Sequence, residues 1–281
     1  MYPPIHHAAY LGKKDDLRAE LDKGVSPDLA YTEEWSHHDK TGAITVTPLH
    51  RLLETLRDYS LGGPTEQDEL ACLNLLLAAG ANPNLAQLGD FGHVEPGVSR
   101  TPLQLAVRAP NRSAEFVARL LAAGADVNAR GSHNLTALHT AAQEGSLVDC
   151  VRLLIDAGAN VNALASNGWT PLDTAFASAD EYMDKARGYT GGKGRYHFEG
   201  WARRCHCVAT ILLRADARTA VYSIANISDP YVRRVLGAGG FTRYERAHLT
   251  ALTATFAPKF PALPTDAVRV VVAFCFHVGY Y

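Results

Sequence analysis

The chain has 281 residues, of which 47% are apolar and 20% charged, with a formal net charge of −2. That balance excludes a disordered chain and leaves no basic excess to hold a nucleic-acid backbone or an anionic membrane surface. The longest apolar run, Val270 to Phe276, falls far short of the ~20 residues that cross a bilayer, and the start, Met1 to His7, lacks the pattern of a secretory signal. Five scattered cysteines (Cys72, Cys150, Cys205, Cys207, Cys275) read as reduced thiols, so the expected compartment is the cytoplasm, with the nucleus as alternative.

In chain order, one pair of blocks keeps returning. Pro3-Pro4-Ile5-His6 is followed by Gly24-Val25-Ser26-Pro27-Asp28, and Thr47-Pro48-Leu49-His50 by Gly80-Ala81-Asn82-Pro83-Asn84. Thr101-Pro102-Leu103-Gln104 precedes Gly124-Ala125-Asp126-Val127-Asn128, and Thr136-Ala137-Leu138-His139 precedes Gly158-Ala159-Asn160-Val161-Asn162. A fifth opening, Thr170-Pro171-Leu172-Asp173, leads to Asp216-Ala217 where Gly-Ala is expected. Each Thr predicts a helix cap, each Pro a first helical turn, and each Gly a helix stop with positive φ. Between the blocks, Leu76-Leu77, Leu120-Leu121 and Leu153-Leu154 mark an apolar second helix. The small pairs Ala8-Ala9 and Ala141-Ala142 let paired helices approach closely. Thr101 to Thr136 spans 35 residues and Thr136 to Thr170 spans 34.

The blocks, their order and their period resemble the ankyrin repeat over about residues 3–217. The resemblance implies an all-α fold: a solenoid of five helix–turn–helix repeats with finger loops, about 3–46, 47–100, 101–135, 136–169 and 170–217. A helical capping region would cover 218–281. It also implies that His50 and His139 tie neighbouring turns together. Asn84, Asn128 and Asn162 sit where fingers of this family can be hydroxylated, and their expected role is to stabilise the finger turn. The implied function is non-catalytic binding of a protein partner on the concave face, with no cofactor or metal and no nucleic-acid or membrane partner. On the first helices the family pattern puts His7, Tyr10, Arg51, Glu54, Leu105, Arg108, Thr140, Gln143 and Thr174 on that face. On the fingers it puts Tyr31, Trp35, His37, His38, Phe91 and His93 there.

Departures from the repeat carry information of their own. The fingers Leu29–Val46 and Leu85–Arg100 run eleven and nine residues longer than Ala129–Leu135. About twelve extra residues separate the helices of the second repeat, around Arg57 to Asp68, and a larger insertion covers Ala179 to Gly200. Such additions are expected to be loops, often on the binding face. Trp35 and Phe91 read either as partner anchors or as packing at the finger bases. The glycine-rich Gly188–Gly194 lacks the order of a phosphate loop and reads as a flexible insertion. In Cys205-His206-Cys207 the thiols are two apart and diverge on a helix, which argues against zinc.

Downstream, Ser228-Asp229-Pro230 opens a helix that ends near Gly237. Thr242-Arg243-Tyr244-Glu245 is a capping-box pattern for a helix to about Phe256; a last element over about 267–280 reads as a helix that Thr265 can cap, with a strand as the alternative that its run of Val268 and Val270 to Val272 leaves open. The stretch Phe260 to Phe276, with Leu263-Pro264 before an apolar run, faintly resembles the opening of F-box motifs or part of a suppressor-of-cytokine-signalling box. That resemblance implies an alternative role as a substrate-recruiting adaptor that engages ubiquitin-ligase components. The other reading of the tail is a cap on the open end of the stack.

Overall fold

The computed structural model describes residues 3–37, 40–56, 64–89, 98–109, 113–189, 192–221, 230–259 and 264–267. Five helical pairs follow one another: α1 (Pro4–Tyr10) with α2 (Lys14–Asp22), α3 (Pro48–Thr55) with α4 (Glu66–Ala78), and α5 (Pro102–Ala106) with α6 (Ser113–Ala122). They continue with α7 (Ala137–Glu144) and α8 (Val148–Asp156), then α9 (Pro171–Gly188) and α10 (Gly192–Arg214). The first helices pack in a row, α1 on α3, α3 on α5, α5 on α7 and α7 on α9. The second helices form a parallel row from α2 through α4, α6 and α8 to α10. Leu49, Leu103, Leu138 and Leu172 from the first row meet Leu17, Leu76, Leu120 and Leu154 from the second, all fully buried or nearly so. Each hairpin is too thin to bury both its apolar stripes alone, so the core exists only because neighbours stack.

The opening blocks start helices as expected. Thr47 N–H donates to Nδ1 of His50 at 3.1 Å, which makes that nitrogen an acceptor and puts the ring proton on Nε2. Nε2 then donates to the Leu85 carbonyl at 2.9 Å, in the next finger. His139 repeats the pattern with Thr136 and the Trp169 carbonyl, at 3.2 and 3.1 Å. Gln104 does the same work without a ring: its Oε1 accepts from Thr101 N–H at 2.9 Å and its Nε2 donates to the Leu135 carbonyl at 2.7 Å. Asp173 reverses the polarity, because it has no donor. Its Oδ2 accepts from Thr170 N–H at 3.0 Å, and from Ala220 N–H at 2.9 Å where the others meet a carbonyl. In the first repeat Pro3 supplies neither hydroxyl nor N–H, and His6 Nδ1 is buried without a hydrogen bond.

A second ladder runs along the finger turns. Asp28 accepts from Asn82 N–H, Asn84 from Asp126 N–H, Asn128 from Asn160 N–H and Asn162 from Arg218 N–H, at 2.7–2.9 Å. Asn84 and Asn128 also donate to the Gly124 and Gly158 carbonyls at 3.0 and 3.1 Å. These side chains are therefore held by the following repeat, in line with the turn-stabilising role.

The two long fingers do more than loop out. They form a four-stranded antiparallel sheet in the order β1 (Tyr31–His37), β2 (Lys40–Val46), β3 (Gln87–Gly89) and β4 (Val98–Arg100). Tyr31 pairs with Val46 and His37 with Lys40 in the first hairpin, and Ile44 pairs with Gly89 across the two fingers. A Cβ on Gly89 would lie 2.6 Å from the Ile44 Cα, so this junction tolerates only glycine. The extra finger length is used to join repeats one and two through backbone hydrogen bonds.

The fifth-repeat insertion is corrected from loop to helix. α9 has 18 residues and α10 has 23, against 8 and 9 for α7 and α8. The second helix of that repeat begins at Gly192, inside the stretch expected to be an insertion loop. Phe198, Trp201, Cys205, Val208 and Leu212 make one stripe at helical spacing, and Ala175, Ala179, Tyr182 and Ala186 make the facing one. Ion pairs at i,i+3 and i,i+4, Lys185–Glu181 at 2.6 Å, Arg187–Asp184 at 2.5 Å and Arg195–Glu199 at 2.8 Å, favour the helical form.

Beyond it, α11 (Pro230–Gly237) and α12 (Phe241–Phe256) pack on α10, with Val232, Val235 and Tyr244 joining the core of Leu212, Leu213 and Ala217. The expected capping box is not formed as such: α12 begins at Phe241, and the Thr242 hydroxyl donates to Asp216 Oδ2 at 2.7 Å. Asp216 occupies the position of Gly80, Gly124 and Gly158 and shares their positive φ, at 57°. Residues 265–267 are helical, and the remaining box-like stretch and the expected last helix lie outside the described residues.

Candidate functional site: the groove between first helices and fingers

The first helices and the fingers form the two walls of a groove. Toward its N-terminal end, His6, His7, Tyr10, Leu11 and Arg51 line a cavity of about 450 Å³. Tyr10, the last residue of α1, is 42% exposed there. The Tyr31 ring opens β1 and lies tilted over the His6 ring, centroids 5.7 Å apart. Arg51 is held rather than loose: its side chain is 12% exposed and pairs with Glu33 of β1 and with Glu54 of its own helix at 2.9 Å. Glu54 in turn accepts from Gln87 Nε2 of β3 at 2.6 Å. The network clamps both long fingers against α3.

A second cavity, about 330 Å³, sits one and two repeats further along. Gln143 is exposed in its lining, and Arg108 Nε donates to Glu144 Oε1 at 2.9 Å across neighbouring repeats. Arg100, His133 and Ser132 complete the finger side; Ser132 bonds to the Ser99 backbone and so links the third finger to β4. The sequence singled out Arg108 and Gln143 but missed Arg100 and His133. Both flank the Thr-Pro-Leu and Thr-Ala-Leu blocks on the finger side, which was the available signal.

Other expected groove residues fall differently. Leu105, Thr140 and Thr174 are buried at 5–8% exposure, and both hydroxyls donate to the carbonyl four residues back. Leu105 and Thr174 are structural rather than presented, while Thr140 lines the second cavity. Trp35 and His37 lie on β1, in register with Gly42 and Lys40. His38, Phe91 and His93 lie outside the described residues.

The titratable groups with shifted ionisation serve the fold. Burial pushes His50 down to about 4, helped by the nearby Arg51 charge and opposed by its bond to Leu85. Burial also lowers His6 and His139. The thiols of Cys72 and Cys205 are pushed up by burial, to about 11 and about 12, which removes nucleophilic thiolate at neutral pH. Cys205 faces the Gln143 carbonyl at 3.9 Å while Cys207 is exposed, so the two sulfurs diverge. Among the described residues no group of three or more metal-binding side chains converges, and no helix is long and apolar enough to cross a membrane.

Two rows of capped helical hairpins, cross-tied at every turn and leaving a lined groove, define a helical repeat scaffold of the protein-recognition class. The family model for ankyrin repeats matches residues 65–164 and 103–184, with three copies. Residues 65–184 of the chain are thus ankyrin repeats. Ankyrin repeats are protein–protein interaction modules and are generally not enzymes. No curated protein matches the sequence. The stacked geometry extends on both sides of the matched stretch, to α1 and α2 before it and to α10 after it.

Proposed function

We propose that this chain is a non-catalytic scaffold that docks one protein partner in the groove, between the first helices and the finger sheet. The carrying observation is the clamp of Arg51 by Glu33 and Glu54, with Gln87 on Glu54, which fixes the fingers relative to the helices before any partner arrives. A preorganised wall loses less side-chain and loop entropy on binding than a loose one. Tyr10 and Gln143 supply exposed contact area at the two cavities, and tyrosine is a favoured interface anchor. The raised thiols and the structural histidines support the non-catalytic reading. Free cysteines at 72, 150, 205 and 207 fit a reducing cytoplasmic or nuclear setting. A ubiquitin-ligase adaptor role would add to this one and would rest on the segment from Phe260 onward.

The test is capture by the full chain from extract of its own cells. Tyr10→Ala with Gln143→Ala should lose the captured protein while keeping helical content and melting. Undiminished capture by the double variant contradicts groove docking.

A further inference from the structure

The finger sheet has one closed edge and one open edge. On β4 the Ser132 hydroxyl accepts from the Ser99 N–H and donates to the Ser99 carbonyl at 3.2 Å. At the other side β1, seven residues long, ends the strand order, and among the described residues no strand pairs beyond it. Only two residues separate His37 from Lys40, so this closing pair exchanges backbone hydrogen bonds. The bonds alternate from there, and Trp35, Glu33 and Tyr31 also turn theirs toward β2. The N–H and carbonyl groups of Thr32, Glu34 and Ser36 therefore point away from β2, along the open edge. The 2.9 Å contact of Thr32 Oγ1 with Thr45 Oγ1 fits this phase, because side chains come closer in the pairs that exchange no backbone bonds. Thr32 and Glu34 are exposed.

We propose that this edge takes up an extended segment of the protein partner as a fifth strand, with a Lys or Arg of that segment opposite Glu34. The proposal rests on groove docking and names how the partner enters the groove. A row of outward backbone donors and acceptors is complementary to another extended chain, whereas a helix has already used its own groups internally. Side chains of an added strand alternate in phase with those of β1. The Tyr31 ring leans on His6 and Glu33 pairs with Arg51, so segment residues beside those two face α1 and the cavity of His6, His7 and Tyr10. Residues beside Thr32 and Glu34 face solvent. A second copy of β1 is a poor occupant, because antiparallel pairing over its full length sets Glu34 against Glu34. The first hairpin carries Glu33, Glu34, Asp39 and Lys40. Arg51 matches Glu33, and Asp39 and Lys40 offset each other in formal charge beside the turn, which leaves the Glu34 carboxylate to select a cation.

The experiment selects a displayed library of random peptides, about 12 residues long, on the full chain, and the peptides found are synthesised. Those that Tyr10→Ala weakens should weaken about tenfold or more on Glu34→Pro, which removes an outward N–H and leaves the ladder to β2 intact. Their binding should be lost on methylation of backbone nitrogens at every second position and kept at the positions between. They should carry a Lys or Arg whose replacement by Glu restores binding to Glu34→Lys. The proposal is overturned if Tyr10-dependent peptides ignore Glu34→Pro and tolerate methylation throughout; groove docking then stands without strand addition. If no selected peptide depends on Tyr10, Gln143 or Glu34, both readings fall. Sedimentation of the chain alone as a dimer that Glu34→Pro dissociates would overturn the proposal in favour of a second copy. Should Glu34→Pro lower amide-exchange protection in β2, the methylation scan, which leaves the protein untouched, decides alone.

Discussion

The first two fingers and the fifth repeat all carry insertions, and the added residues took opposite forms. In the fingers the insertion became a sheet that ties two repeats together through Ile44 and Gly89. In the fifth repeat it became two longer helices that leave the stack and pack on each other. The difference follows from local sequence. The first finger returns through the β-branched residues Thr41, Ile44, Thr45 and Val46, while residues 175–186 and 198–212 carry apolar stripes at helical spacing. An insertion at a finger reaches its neighbour; one at the opposite turn reaches solvent.

The joints that hold both regions to the stack can be broken separately. Asp173→Ala strips the acceptor from Thr170 N–H, the Thr170 hydroxyl and Ala220 N–H in a fully buried place. We expect a loss of about 3 kcal/mol in urea unfolding, with Asp173→Asn milder because it keeps one acceptor oxygen. The finger side depends on pH instead. His50 is held neutral in the fold, so the unfolded chain binds more protons between about 6.5 and about 4. Stability is therefore full above the unfolded value and falls as pH drops through that window, by on the order of 3 kcal/mol for His50, with His6 and His139 adding in the same direction. His50→Gln, which copies the contacts that Gln104 makes, should flatten the curve, and urea unfolding at pH 7.5 and 5 reads it.

Much of the stack was legible in the sequence because a repeat writes its local chemistry several times. Thr-Pro-Leu openings, glycine stops and the Asn turns all stand where the periodicity put them. What was not legible is long-range. The pairing of two fingers 45 residues apart at Ile44 and Gly89 leaves no periodic mark. Nor do the carboxylates that hold Arg51 and Arg108, since Glu33 and Glu144 lie 18 and 36 residues away. Those two arginines looked like free anchors for want of that information. The Ala179–Gly200 insertion was misjudged for a different reason: the glycines at 188–194 outweighed the apolar stripes on either side.

Two smaller effects sharpen the comparison. Gly89→Ala forces its Cβ onto the Ile44 backbone and should cost about 2 kcal/mol. It should also remove amide-exchange protection over 40–46 while leaving α9 and α10 unchanged. Pro3→Thr should stabilise the chain by about 1 kcal/mol, because a hydroxyl and an N–H then reach the orphaned His6 Nδ1. A thermal melt would show it as a rise, and an unchanged or lowered melt would mean that the first repeat does not share the joint of the others.

The most direct test of the groove is hydrogen exchange on the full chain with and without the protein it captures. Slower exchange confined to the finger strands and to the ends of α1, α3, α5 and α7 is the predicted result. Slower exchange restricted to α2, α4, α6 and α8, on the far side of the stack, would contradict it.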